Sequence, residues 1–270
     1  MSKRLYISAL FVITMSGVAA QNADTLIFRS RSARSLGIGF PALNYSMLSP
    51  LNHSGYSLCF RSTRFRELPE HLSQFQLNSE LGILYNHAND SYITTLGFNC
   101  GWSRHWKKTD RPPPLHLLAG AGATAGVNVY LKDDNTNNPM AYFFNLSLSP
   151  GLLLRYRFGN EKASFCFGQR IDLPVLSVVS SSEYSSALPF GFIEDEASFF
   201  DAMRIVSFGS LFKCLLTTTL DVTPSLEHRR KWPVFRISYA FTGMNYSNGD
   251  FTIKSVDHKL FFGAIFHLFQ

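Results

Sequence analysis

Gly120, Gly122 and Ala125 stand in the stretch HLLAGAGATAGVNVYL, residues 116–131, at the spacing of a dinucleotide-binding fingerprint. Phosphate binding by that fingerprint needs a strand before the glycines, a tight turn at them, and a helix whose N-terminus faces the pyrophosphate. The residues after the glycines are β-branched and alternating rather than helical, so the stretch reads as one long strand without a phosphate cradle. Three consecutive carboxylates, Glu194, Asp195 and Glu196, lack the alternating ligands and the glycine of a calcium loop. They read as a solvated loop tip and as candidates for contact with an external ligand. Cys59, Cys100, Cys166 and Cys214 lie far apart with no metal-ligand spacing, each inside an apolar or alternating stretch. That pattern predicts small core or lipid-facing residues rather than a disulfide framework. The sequence thus nominates no metal and no cofactor.

The elements that must carry these residues repeat with period two. In the 116–131 stretch, Leu117, Ala119, Ala121, Ala123, Ala125, Val127 and Val129 alternate with His116, Gly120, Gly122, Thr124, Gly126 and Asn128, placing the glycines on an inward face. Phe75, Leu77, Leu81 and Ile83 alternate in the same way with Gln74, Gln76, Asn78 and Glu80. The pattern returns over residues 91–103, 142–156, 164–175, 216–227 and 235–242, and the chain closes on Leu260, Phe262, Ala264 and Phe266. Phe261, Ile265 and Phe269 leave the facing of that last strand ambiguous. With weaker candidates at 36–45 and 56–63, the count is about ten, with twelve possible. Pro150, Pro174 and Pro224 fall inside apparent strands and predict bulges or early strand ends.

Lys3 and Arg4 precede an apolar run over 5–18 and the small residues Val18-Ala19-Ala20, which predicts a signal peptide over 1–20, cleaved near Ala20, and one mature domain over 21–270. Hydrophobic residues make up 46%, yet no later run of eighteen supplies a helical membrane span. The formal charge is +6, and the basic residues are dispersed apart from His228-Arg229-Arg230-Lys231, which argues against nucleic-acid binding. Long strands with one apolar and one polar or small face fit an all-β, transmembrane, antiparallel up-and-down barrel: lipid outside, polar lumen inside. A monomer in the outer membrane is the expectation. Arg61, Glu80, Arg155, Arg170, Asp172, Asp221, Glu227 and Arg236 fall on inward faces and are expected to pair across the lumen, because charges in low dielectric demand partners. The longest irregular stretch, 180–210, includes ASFFDAMRIV (197–206), where Phe199, Phe200, Met203 and Val206 have the spacing of a short helix.

SFGSLFKCLLTTTLDV (207–222) and FRISYAFTGMNYSNGDFTIKSVDHKLFFGAIFHLF (235–269) resemble the end of a family of uncharacterised outer-membrane β-barrels from Bacteroidota-type bacteria. DDNTNNPMA (133–141) and IDLPVLSVVSSSEYSS (171–186) resemble further segments of it. The resemblance implies a fold and a place, and no activity. NYSNGD (245–250) is similar to the Ser-Asn-Gly segment of outer-membrane phospholipases, in which a histidine two residues before the serine is the base. Here that position is Asn245, which cannot take a proton from Ser247, and Asn248-Gly249 reads as a turn. Asp133-Asp134 and Asp257-His258 are similar to the paired groups of outer-membrane aspartyl-type proteases. Neighbours on a strand point to opposite faces, so both pairs read as loop or strand-end residues in water. No catalytic residue is nominated. The sequence points to a structural or surface-binding barrel, with a narrow pore for small solutes or a membrane-embedded hydrolase as alternatives.

Overall fold

Twelve antiparallel β-segments account for nearly every described residue of the computed structural model, which describes 29–68, 70–107, 115–132, 140–159, 163–182, 203–224, 234–249 and 251–267. The expected signal peptide, the 133–134 and 194–196 carboxylates, Glu227 and the 228–231 basic run lie outside those residues. The segments are β1 (Arg29–Tyr45), β2 (Ser49–Glu67), β3 (His71–Asn86), β4 (Ser91–Trp106), β5 (Leu115–Leu131) and β6 (Met140–Gly159). They continue as β7 (Ala163–Asp172), β8 (Leu176–Ser181), β9 (Arg204–Ser207), β10 (Leu211–Pro224), β11 (Val234–Ser247) and β12 (Thr252–His267). Each of β1 to β6 pairs with its successor, β7 pairs with β10, and β1 pairs with β12, so ten strands close into a barrel with β8 and β9 as two extra strands.

β7 and β8 pair with the two halves of β6. Gly151 opposes Asp172 and Leu148 opposes Leu176, one residue more on the β7–β8 side. That is a bulge, centred on Pro150 and Pro174, and Leu173 N and Val175 N still donate to the Pro150 and Leu148 carbonyls at 3.2 and 3.0 Å. Pro224 is the last residue of β10. The two inner prolines bend the wall and the third ends a strand, as their missing N–H groups require. The helix expected over 197–206 is corrected at its end, where Arg204, Ile205 and Val206 are in β9, paired with β8; Phe199 and Phe200 lie outside the described residues. Ladder bonds to β8 outweigh the weak helical spacing of this short segment.

Both described chain ends lie at one rim, where Arg31 opposes His267. At this near end β2 and β3 are joined by residues 68–70; at the far end β1–β2, β3–β4 and β11–β12 turn over 46–48, 87–90 and 248–251. A strand of about 16 residues at roughly 3.3 Å per residue and about 40° tilt rises some ~40 Å, taller than the ~25 Å apolar band of a transmembrane barrel.

Alternation sorts the side chains. Leu36, Leu58, Leu81, Phe98, Leu117, Leu148 and Phe262 stand exposed on the outer wall, Leu117 by 65%. A soluble sandwich would bury that face. Inward on β5, a Cβ at Gly120 would lie 2.6 Å from His105 Cδ2, and one at Gly122 would lie 2.9 Å from the Trp102 carbonyl oxygen. The glycines give room to the inward side chains and backbone of β4. The ambiguous last strand also resolves: Phe261 and Ile265 point inward and are buried, while Leu260, Phe262 and Phe266 point out.

Candidate functional site in the barrel lumen

The inward residues form layers along the barrel axis. At the far end the lumen is apolar. The rings of Tyr45 on β1 and Tyr130 on β5 meet edge to face at 5.8 Å, although their strands are four apart in a ring where five is opposite. Phe143 on β6 and Tyr246 on β11 lie 5.6 Å apart, and Phe251 touches both Tyr45 and Tyr246 at 5.9 Å. Leu43, Leu84, Ile93, Leu211 and Ile253 fill the gaps between them, all nearly fully buried. These side chains are a stopper across the mouth, and Tyr45 Oη donates to the Ser182 carbonyl at 3.4 Å. Local sequence builds it where strands carry apolar residues on both faces at once, as in Ile83-Leu84 and Tyr142-Phe143-Phe144.

Beneath the stopper lies a cavity of about 200 Å³. Lys259 on β12 crosses to Glu80 on β3 and holds Asp257 Oδ2 at 2.6 Å, leaving Asp257 Oδ1 without a donor. Arg61 Nε donates to Asn78 Oδ1 at 2.8 Å, and the guanidinium lies 4.0 Å over the Phe261 ring, which explains an aromatic on an inward position. Arg170 Nη2 donates to Asp172 Oδ1 at 3.0 Å, and its Nε lies 2.6 Å from Oδ2. Arg61, Gln76, Arg170 and Thr217 line both this cavity and a second one of about 90 Å³ nearer the chain ends, forming a septum between the two.

Toward the near end, Arg236 Nε and Nη2 donate to the two oxygens of Asp221 at 2.6 Å each, with Phe65 4.7 Å from the guanidinium. Glu67 gathers four cations: Lys107 at 3.0 Å, Arg155 at 3.4 Å, Arg157 at 3.8 Å and Arg31 at 4.0 Å. Leu72, Leu118 and Leu153 pack as a small apolar cluster. One carboxylate thus ties β1, β2 and β6 together across the lumen.

Among the residues singled out from sequence, Arg170 meets Asp172 and Asp221 meets Arg236, but along β7 and between adjacent strands rather than across the lumen as expected. Glu80 and Arg155 instead meet Lys259 and Glu67, which sequence reasoning missed, and Arg61 has an amide and a ring where a carboxylate was expected. The reading of Asp257 as a strand-end residue in water is corrected: it sits within β12 with its side chain in the lumen. Asp257 and Lys259 share a face at spacing two, a signal hidden by the apolar Phe261 and Ile265 on that same face.

Hydrolytic geometry is absent among the described residues tested for it. Asp257 faces inward while His258 faces outward, its Nδ1 2.7 Å from Tyr239 Oη. Asn245 and Ser247 are exposed on the outer face, and Asn248-Gly249 forms the turn, with Gly249 at φ +95° and Phe251 N donating to Asn248 Oδ1 at 3.1 Å. All four cysteines are free thiols, and Cys59 and Cys166 line the lumen cavities.

A closed antiparallel barrel, apolar outside and charged inside, defines the class: a β-barrel of the outer-membrane kind. More particularly, the chain belongs to the DUF3316 family, proteins of unknown function, whose family model matches residues 5–270. It is similar in structure to the outer membrane protease OmpT from Escherichia coli, with a TM-score of 0.50 and 8% identity, covering 90% of this chain and 99% of that one. The translocator domain of the autotransporter NalP from Neisseria meningitidis gives a TM-score of 0.46 and 9% identity, covering 96% of this chain and 94% of that one. The COG4313 outer membrane channel from Pseudomonas putida F1 gives 0.35 and 8%, covering 93% and 100%. At 8% identity the likeness to OmpT is one of fold, not of chemistry. Among curated proteins, none matches this sequence.

Proposed function

We propose that this protein is a monomeric outer-membrane barrel with an occluded lumen, exported by a signal peptide cleaved near Ala20, whose role is structural or surface-binding. The observation that carries the reading is the contact of Tyr45 with Tyr130 across the far mouth. Barrels near this strand count have interiors largely filled by side chains, and here the filling is apolar where solutes would enter. The paired lumen charges then serve to bind strands to one another, and a macromolecular ligand meets the loops, with residues 194–196 as the candidate contacts. A Bacteroidota-type origin rests on the sequence resemblance alone. The test is conductance in planar bilayers. Wild-type protein is expected to give no steady openings, and Tyr45→Ala with Tyr130→Ala is expected to raise conductance by thinning the stopper. Steady large openings of the wild-type barrel would favour the narrow pore instead.

A further inference from the structure

We propose that the cavity beneath the stopper is a binding site for a small oxyanion, a short carboxylate or phosphate, held by Lys213, with Arg61 adding positive charge at the cavity floor. The inference goes beyond the occluded lumen described above and does not depend on it. Lys213 points inward from β10 and is only 7% exposed, the exposed part opening into the cavity. No carboxylate or other hydrogen-bond acceptor of the protein reaches its ammonium among the described residues. Its flanks are apolar: Leu211 and Leu215 on its own strand, and Met244 directly opposite on β11. A lysine placed this way has one polar outlook, into the cavity.

Arg61 is the second cation without an acid. One of its five N–H donors goes to Asn78 and one face goes to Phe261, which leaves donors for a ligand. The cavity's carboxylates each have a cation, Glu80 and Asp257 sharing Lys259 and Asp172 taking Arg170, although Asp257 Oδ1 has no donor. Four cations therefore line the cavity against three carboxylates, and the surplus falls on Lys213 and Arg61. A buried charge without a partner is costly, so the site favours a ligand that brings a negative charge. The carboxamides of Asn99 and Asn128 also line the cavity and add neutral donors. A cavity of about 200 Å³ admits formate, acetate or phosphate and excludes a disaccharide acid or a peptide.

The experiment uses the folded full-length barrel in detergent. Thermal unfolding is followed in acetate or in phosphate, with ionic strength matched by lactobionate, a disaccharide acid too large for the cavity. A ligand at a hundred times its Kd lowers the unfolding constant about 100-fold, so the midpoint is expected to rise in acetate or phosphate and not in lactobionate. Which of the two acts tells carboxylate from phosphate. Lys213→Met is expected to abolish the rise, and Lys254→Met, on the exposed outer face, to keep it. Crystals soaked in selenate should show an anomalous peak beside Lys213, a readout that decides the matter even if Lys213→Met does not fold. No midpoint shift and no peak in the wild type, or a shift that survives Lys213→Met, overturns the proposal. Conductance separates the two readings: an open barrel that still binds the anion defeats occlusion and not this site.

Discussion

Asp221 and Arg236 stand directly opposite each other on β10 and β11, and both oxygens of the carboxylate are taken by the guanidinium. Such a pair gains little over well-packed apolar residues, but losing one member leaves a buried charge without a partner. Asp221→Asn is therefore expected to lower folding stability by about 3 to 5 kcal/mol, and Asp221→Leu with Arg236→Met to recover most of it. Urea unfolding in lipid vesicles measures both, and an Asp221→Asn protein as stable as wild type would contradict the role given to the pair. Glu67 is the converse case, one carboxylate serving four cations. Its loss sets those cations against one another, so no single partner accounts for its effect.

At the scale of the strand, facing decides what a substitution does. Gly122 faces inward against the Trp102 carbonyl and the Ser103 side chain, while Ala121 and Ala123 face out. Gly122→Leu is expected to block folding in bilayers, and Ala121→Leu and Ala123→Leu to fold as wild type, because fluid lipid yields where a neighbouring strand does not. The reverse result, read from a folding assay of the three variants, would invert the assignment of β5. This much of the fold is legible in sequence: period two marks the wall, the inward glycines and the three special prolines. The stopper is hidden because alternation suggests a polar lumen along the whole strand, whereas Leu84, Phe143 and Tyr246 are inward and apolar. Lys259 and Lys213 are hidden for a related reason. Phe261 and Leu211 put apolar residues on the same faces, so the alternation that reveals Glu80 and Asp221 fails there.

For the whole molecule, the question is what surrounds the wall. Leu81 and Phe98 are exposed by about half on adjacent strands, in an apolar surround that includes Leu96. In a bilayer, an arginine at such a position costs about 2 to 4 kcal/mol near the midplane and less toward either interface. A series of arginine substitutions along the outer face of β3, at Phe75, Leu77, Leu81 and Ile83, is expected to trace that depth dependence in vesicle unfolding. A flat profile would mean that the face is not in lipid. The barrel also owes its existence to one seam. Arg31 to Tyr45 meet His267 to Ile253, partners more than two hundred positions apart in the chain. Loop-closure entropy rises only logarithmically with such separations, so the finished barrel loses little stability to them, but contact order makes its assembly slow. Until the final strand arrives, β1 presents an open edge with a greasy face, the state most prone to join another chain. The vulnerable period in the life of this protein is therefore the interval between synthesis and closure, when its first strand waits for its last.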